Sequence, residues 1–186
     1  MKKIILASQS PRRSQLLQWA EVDFTVLVSD TDESAPATLS FEDTAVHIAR
    51  NKALVVQQKS NTDLPVLAAD TIVVCHNKII GKPKNREDAI AILKELSGKE
   101  HVVITGVVIL SGDKEIAFAD STTVQFHPLT EEQIVFYVDK YQPYDKAGAY
   151  AIQEWIGVIG IKSINGDFYN VMGLPVSRVV MALNDL

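Results

Sequence analysis

The ten residues Val66-Leu67-Ala68-Ala69-Asp70-Thr71-Ile72-Val73-Val74-Cys75 constrain the fold more than any other stretch of the chain. They form a nearly continuous apolar run, which suits a central strand buried on both faces. Around it, strand and helix signals alternate. A strand is expected at about 3–7, a helix at 11–20, a strand at 24–28 and a long helix at 41–58, with Ser40 and Asp43 resembling a capping box at its start. Asn77 marks the turn after the central run, and a short strand follows. Asn85 with Asp88 opens a helix that closes near Ser97-Gly98. The valine-rich stretches 101–111 and 115–127 flank Gly112-Asp113 and read as a long hairpin. Thr130 with Gln133 caps a helix to about Lys140, and a strand at 155–164, an Asn165-Gly166 turn and a last helix from about 175 complete the pattern. Crossover helices together with hairpins imply an α/β fold with a mixed sheet.

At 186 residues and 47% hydrophobic, the chain suits one compact domain over 1–186, with a substantial core arranged in two lobes around a cleft. A net charge of −5 argues against a general nucleic-acid or acidic-membrane binder, so any anionic ligand must meet a local basic cluster. Lys2-Lys3 is followed by too short an apolar stretch for a signal peptide, and no segment approaches the roughly 20 apolar residues of a spanning helix. A cytoplasmic location is expected. The single Cys75 reads as a buried, inert thiol, and the four histidines are scattered without zinc-ligand spacing.

Five segments carry chemistry. In Ala7-Ser8-Gln9-Ser10-Pro11-Arg12-Arg13, an apolar strand ends, Ser10 sits where an N-cap belongs, and Pro11 suits the first helical position. Free N–H groups at that helix start, the hydroxyls of Ser8 and Ser10, and the cations Arg12 and Arg13 form an anion seat. Asp70 is a carboxylate inside an apolar strand, where an unpaired charge would cost several kcal/mol, so it must face a cation, a metal or a polar cleft. Lys52 lies on the apolar stripe Phe41, Ala45, Ile48, Ala49, Ala53 and Val56, which aims a cation inward. The fourth, Gly81-Lys82-Pro83, carries a stiffened lysine. In the fifth, Tyr144 to Gln153, small residues permit close backbone approach and Gln153 offers the donor and acceptor that a uracil or thymine edge matches. Glu33 lies in the acidic loop 29–39.

Taken together, ASQSPRR, Glu33, ARNKA around Lys52, AADTIV, GKP and YDKAGAYAIQ resemble the Maf family of nucleoside triphosphate pyrophosphatases, and the last segment is similar to the subgroup acting on dTTP and UTP. The resemblance implies an elongated mixed sheet with flanking helices, two lobes around a cleft, as in inosine triphosphate pyrophosphatases. It implies hydrolysis of dTTP and UTP to monophosphate and pyrophosphate with Mg2+ or Mn2+, clearing excess or non-standard pyrimidine nucleotides. It further implies Asp70 as proton acceptor, with Arg12, Thr71 and Gln153 bearing on substrate choice. Arg13, Lys52 and Lys82 are its basic residues, and Glu33 joins Asp70 at the metal. The family commonly has glycines beside its Ile-Gln pair, whereas here Ala151 precedes and Glu154 follows, so Glu154 either narrows the base pocket or turns outward. The expected partners are a nucleoside triphosphate and, as an oligomer, a second copy of the chain; neither nucleic acid nor membrane is expected. The competing expectation is a nucleotide-binding regulator of cell division that needs no turnover. Asp70 separates the two, since a sensor has little use for a buried carboxylate among cations.

Overall fold

The computed structural model describes residues 3–28 and 30–186; Met1, Lys2 and Ser29, which belong to the first strand stretch and the acidic loop, lie outside the described residues. In chain order the elements are β1 (Ile4–Leu6), α1 (Pro11–Trp19), β2 (Phe24–Val26), α2 (Phe41–Lys59), β3 (Val66–Cys75) and β4 (Lys78–Ile80). There follow α3 (Arg86–Leu96), β5 (Glu100–Ser111), β6 (Lys114–Phe126), α4 (Glu131–Tyr141), a short 3-10 turn (Ala147–Ala149), α5 (Trp155–Gly160), β7 (Ile161–Asn165), α6 (Phe168–Met172) and α7 (Val176–Asn184). The described strands form one mixed sheet in the order β2-β1-β3-β5-β6-β7, with β4 paired to β3. β1 runs parallel to β2 and β3, whereas β4 and β7 are antiparallel to β3 and β6. Among the described residues no helix is long and apolar enough to cross a membrane.

The chain divides into two compact units, and β3, β5 and β6 each contribute residues to both. The first holds the residues through Thr71, Thr105–Asp120 and Gly173–Leu186. Its core joins Ile5 of β1 and the adjoining Ala7 to Ala49, Ala53 and Val56 of α2, Val66 and Ala68 of β3, and Val108 and Leu110 of β5. The alanines matter because they let α2 lie flat on the sheet. At Gly106 of β5, an added Cβ would stand 2.2 Å from the backbone carbon of Ala45, so only glycine admits the helix at this depth. Lys52 lies two turns beyond Ala45 on the same helix face and is carried toward the sheet by that contact. Ser40 caps α2 by accepting from the Asp43 N–H at 3.0 Å. The Ser40 hydroxyl in turn donates to Asp43 Oδ2 at 2.8 Å, because the shorter acid meets the side chain where a glutamate would reach the backbone.

The second unit holds Ile72–Ile104 and Ser121–Met172. His76 and Asn77, both at positive φ (48° and 60°), make the tight β3–β4 turn. Asn85 caps α3 and Thr130 with Gln133 completes a full capping box on α4. The rings of His101, Phe126 and Tyr150 pack edge to face, with centroids 5.0–5.4 Å apart. Burial pulls the His101 imidazole down to about 4 and pushes the Tyr150 phenol up. One sequence expectation fails here. Residues 155–160 are helical rather than the first half of a strand, and β7 begins only at Ile161. The apolar run from Trp155 to Ile161 suits either state by pattern. Local geometry decides: Gly157 and Val158 donate their N–H groups to the Glu154 carbonyl at 2.9 and 3.3 Å, which starts a helix at once.

Candidate active site

In the first unit, Lys52 organises the charged residues. Its Nζ stands 2.6 Å from Asp70 Oδ1 and 2.7 Å from Glu33 Oε1. Asp70 and Lys52 are well covered, with side chains 15% and 17% exposed, while Glu33 reaches in from the loop at 55%. β3 explains the aspartate: the strand is buried from Val66 to Ala69 and again from Ile72 to Cys75, and opens only at Asp70 and Thr71. The inward-aimed cation and the strand carboxylate inferred from sequence are thus each other's partners. Removing Lys52 would strip the largely desolvated Asp70 of its counter-charge, which costs about 3–5 kcal/mol in buried pairs, whereas removing Asp70 leaves Lys52 paired to Glu33.

Beside this cluster lies a knot of hydrogen bonds around Arg13. Its Nε donates to the Gly173 carbonyl at 2.8 Å, Nη1 to Ser8 Oγ at 3.1 Å and Nη2 to Thr71 Oγ1 at 3.0 Å. Burial draws the guanidinium below its usual value, the charge of Asp70 works against that, and Arg12 adds to it. Three of the five guanidinium N–H groups are spent on the protein itself, so Arg13 ties α1 to β3 and to the start of the last segment. Thr71 Oγ1 also meets Thr105 Oγ1 at 2.9 Å. Ser8 Oγ accepts from Arg13 and, at 3.2 Å, from the Ser10 N–H, which fills its two lone pairs and leaves its proton to donate. Ser10 occupies the N-cap position of α1 but its side chain makes no cap bond. Arg12, half-buried in the first turn of that helix, completes the segment.

Gly173 and Thr105 escaped the sequence reading. Gly173 sits at φ +115°, a conformation that turns its carbonyl to Arg13, and a Cβ there would lie 3.6 Å from Thr71 Oγ1. No motif announces either residue: Thr105 is one polar side chain in a valine-rich strand, and the glycine stands alone between Met172 and Leu174.

Lys82 and Gln153 belong to the second unit. Lys82 is exposed beside Gly81, whose carbonyl accepts from the Gly148 N–H at 3.2 Å, so the Gly-Lys-Pro loop is fastened to the Ala147–Ala149 turn. Gln153 is exposed in a turn closed by the Glu154 N–H donating to the Ala151 carbonyl at 3.1 Å. Glu154 neither stands free nor faces outward. Its Oε2 accepts a short hydrogen bond from the buried Tyr137 hydroxyl, and its Oε1 lies 3.7 Å from Lys146 Nζ.

Among the described residues no three histidine, cysteine, aspartate or glutamate side chains group as a ready metal cage. Glu33 and Asp70 nevertheless meet at one cation, the Lys52 ammonium. Two carboxylates are a suitable protein share for Mg2+ or Mn2+, which takes its remaining oxygens from water and substrate phosphates, so the donor set fits a metal that arrives with a polyphosphate.

A family model described as Maf-like protein matches residues 3–186. A dTTP/UTP pyrophosphatase of Parabacteroides distasonis is 49% identical over 182 residues, covering 97% of this chain and 94% of that protein. One of Bacillus cereus is 47% identical over 183 residues, covering 98% and 95%. Among solved structures, the Ham1 protein of Staphylococcus aureus is similar over 67% of this chain and 72% of that one, at 16% identity and a TM-score of 0.48. Matched along nearly its whole length by the family model and by relatives at almost half identity, the chain belongs to the Maf family.

Proposed function

We propose that this protein hydrolyses dTTP and UTP to the nucleoside monophosphate and pyrophosphate. The observation that carries the chemistry is the Asp70–Lys52–Glu33 cluster at the open point of an otherwise buried strand. The names of the relatives supply the substrates. Asp70 accepts the proton of the attacking water: Lys52 holds its Oδ1, which fixes the carboxylate and leaves Oδ2 for the water. Glu33 and Asp70 would hold the divalent cation. When bound, that ion neutralises charge on the triphosphate and polarises its α-phosphorus. Arg12, Lys52 and Lys82 stabilise the charge that develops as pyrophosphate leaves. Ser8 donates its free proton to a phosphate oxygen, Ser10 and the first N–H groups of α1 add donors, and Arg13 with Thr71 keeps that turn in place. Gln153 reads the base edge.

Nothing in the geometry favours a regulator without turnover. The test is a panel of the common ribo- and deoxyribonucleoside triphosphates with Mg2+ and with Mn2+, products identified by chromatography. The expected result is UMP and dTMP with one equivalent of pyrophosphate each, ahead of the purine nucleotides. Release of orthophosphate, or a preference for GTP, would overturn the reading.

A further inference from the structure

The turn that bears Gln153 is determined by one buried hydroxyl. Tyr137 of α4 is fully buried, and its Oη accepts from the Ala151 N–H at 3.2 Å while donating to Glu154 Oε2. Ala151 and Glu154 are the first and last residues of the turn, and Ile152 and Gln153 are its centre. A single side chain from another element therefore grips both corners. The other carboxylate oxygen of Glu154 is within ion-pair distance of Lys146 Nζ, which also binds Asp145 Oδ1 at 2.8 Å, and Lys146 is only 9% exposed. From behind, Gly157 closes the arrangement: a Cβ there would fall 1.7 Å from the Ile152 carbonyl oxygen. The turn is thus held at its corners by a hydroxyl and a carboxylate, and at its back by a glycine.

Building on the proposed base-reading role of Gln153, we propose that Tyr137 and Glu154 are positioning residues that set the discrimination between pyrimidine bases. A side-chain amide discriminates by hydrogen bonds that the wrong base leaves unmade, and that penalty is large only when the amide cannot move to a second geometry. Held through Tyr137, the backbone of residues 151–154 has little room to shift. The charge on Glu154 is spent within this network rather than on the base.

UTP and CTP share ribose and triphosphate, so their kcat/KM ratio isolates base reading. Tyr137→Phe removes the hydroxyl and keeps the ring, and Glu154→Ala removes the acceptor. Each is expected to lower the UTP:CTP ratio by about 5- to 10-fold, through a higher KM for UTP more than a lower kcat. The double variant should be no worse than the poorer single variant, since both cut the same link. Glu154→Gln, which still accepts from Tyr137, should recover most of the ratio. Amide hydrogen exchange in residues 147–157 should quicken in Tyr137→Phe while residues 3–28 stay as in the wild type. Unchanged ratios in Tyr137→Phe and Glu154→Ala, from a wild type that prefers UTP, would overturn the positioning role and leave the proposed activity standing. A wild type indifferent to UTP and CTP would remove the base-reading role of Gln153 and the positioning role with it.

Discussion

The charged cluster around Lys52 and the turn around Gln153 are built on opposite principles. In the first, ions hold ions: one ammonium group spans two carboxylates, and an arginine spends three N–H groups on its own protein. In the second, the chemically interesting side chain is exposed and makes no such pairs, and what is fixed is the backbone beneath it. The first arrangement keeps charge in place for a reaction that shifts charge. The second keeps geometry in place for a choice between neutral hydrogen-bonding edges. Damage to the first should therefore appear as a loss of rate common to all substrates, and damage to the second as a loss of ranking among them.

The largest expected effect belongs to the cluster. Asp70→Asn keeps size but cannot accept the proton, and kcat for UTP should fall by about 100-fold or more, roughly 2.7 kcal/mol of barrier, while nucleotide still binds. Lys52 keeps Glu33 as a partner in that variant, so its melting temperature should stay close to the wild type; steady-state kinetics and a thermal melt check both. Retention of most of the rate would free Asp70 from its assigned role.

Next comes the contact that seats the cluster. Gly106→Ala puts a methyl group into the backbone of Ala45 and should cost about 1–3 kcal/mol of stability, as overpacking does, with lowered kcat because α2 carries Lys52. Urea unfolding at neutral pH measures it. A stability equal to the wild type would show that α2 can lift without cost.

In the second unit, His101 gives a comparable effect through pH. Folded, its imidazole takes a proton only near 4, whereas in the unfolded chain it does so near 6.5. Between these values the unfolded chain binds more protons, so stability is complete above about pH 6.5 and is lost as the pH falls toward 4. By pH 5 the loss from this group should be about 2 kcal/mol, and His101→Gln should remove that part of the pH dependence. Parallel pH slopes in the two proteins would contradict it. The effect of Gln153→Ala is smaller still, about 1–1.5 kcal/mol, seen as a 5- to 10-fold fall in the UTP:CTP ratio.

What could be read from sequence divides along the same line. Asp70 and Lys52 stood out because each breaks an apolar pattern of known period, and a charge in such a place needs a partner; that they partner each other became visible only in three dimensions. The capped helices α2, α3 and α4 were legible because their N-terminal signals are local. Tyr137 was not. Its ring fits the apolar face of α4 like any core residue, and the work of its hydroxyl depends on a segment fourteen residues away. The helix at 155–160 was misread as strand for the same reason, since the hydrogen bonds that begin it come from the turn at Glu154 rather than from the apolar pattern of the run. Gly106 and Gly173 carry no local mark, because what demands glycine there is another element's backbone or a positive φ.

The division of labour itself can be tested in one competition assay. With UTP and CTP present together at equal concentration, the UMP:CMP product ratio is measured for the wild type, Lys52→Ala and Gln153→Ala. The account predicts that Lys52→Ala slows both products by similar factors and leaves the ratio as in the wild type, whereas Gln153→Ala lowers the ratio more than it lowers UMP formation. A ratio that moves in Lys52→Ala, or holds steady in Gln153→Ala, would contradict it.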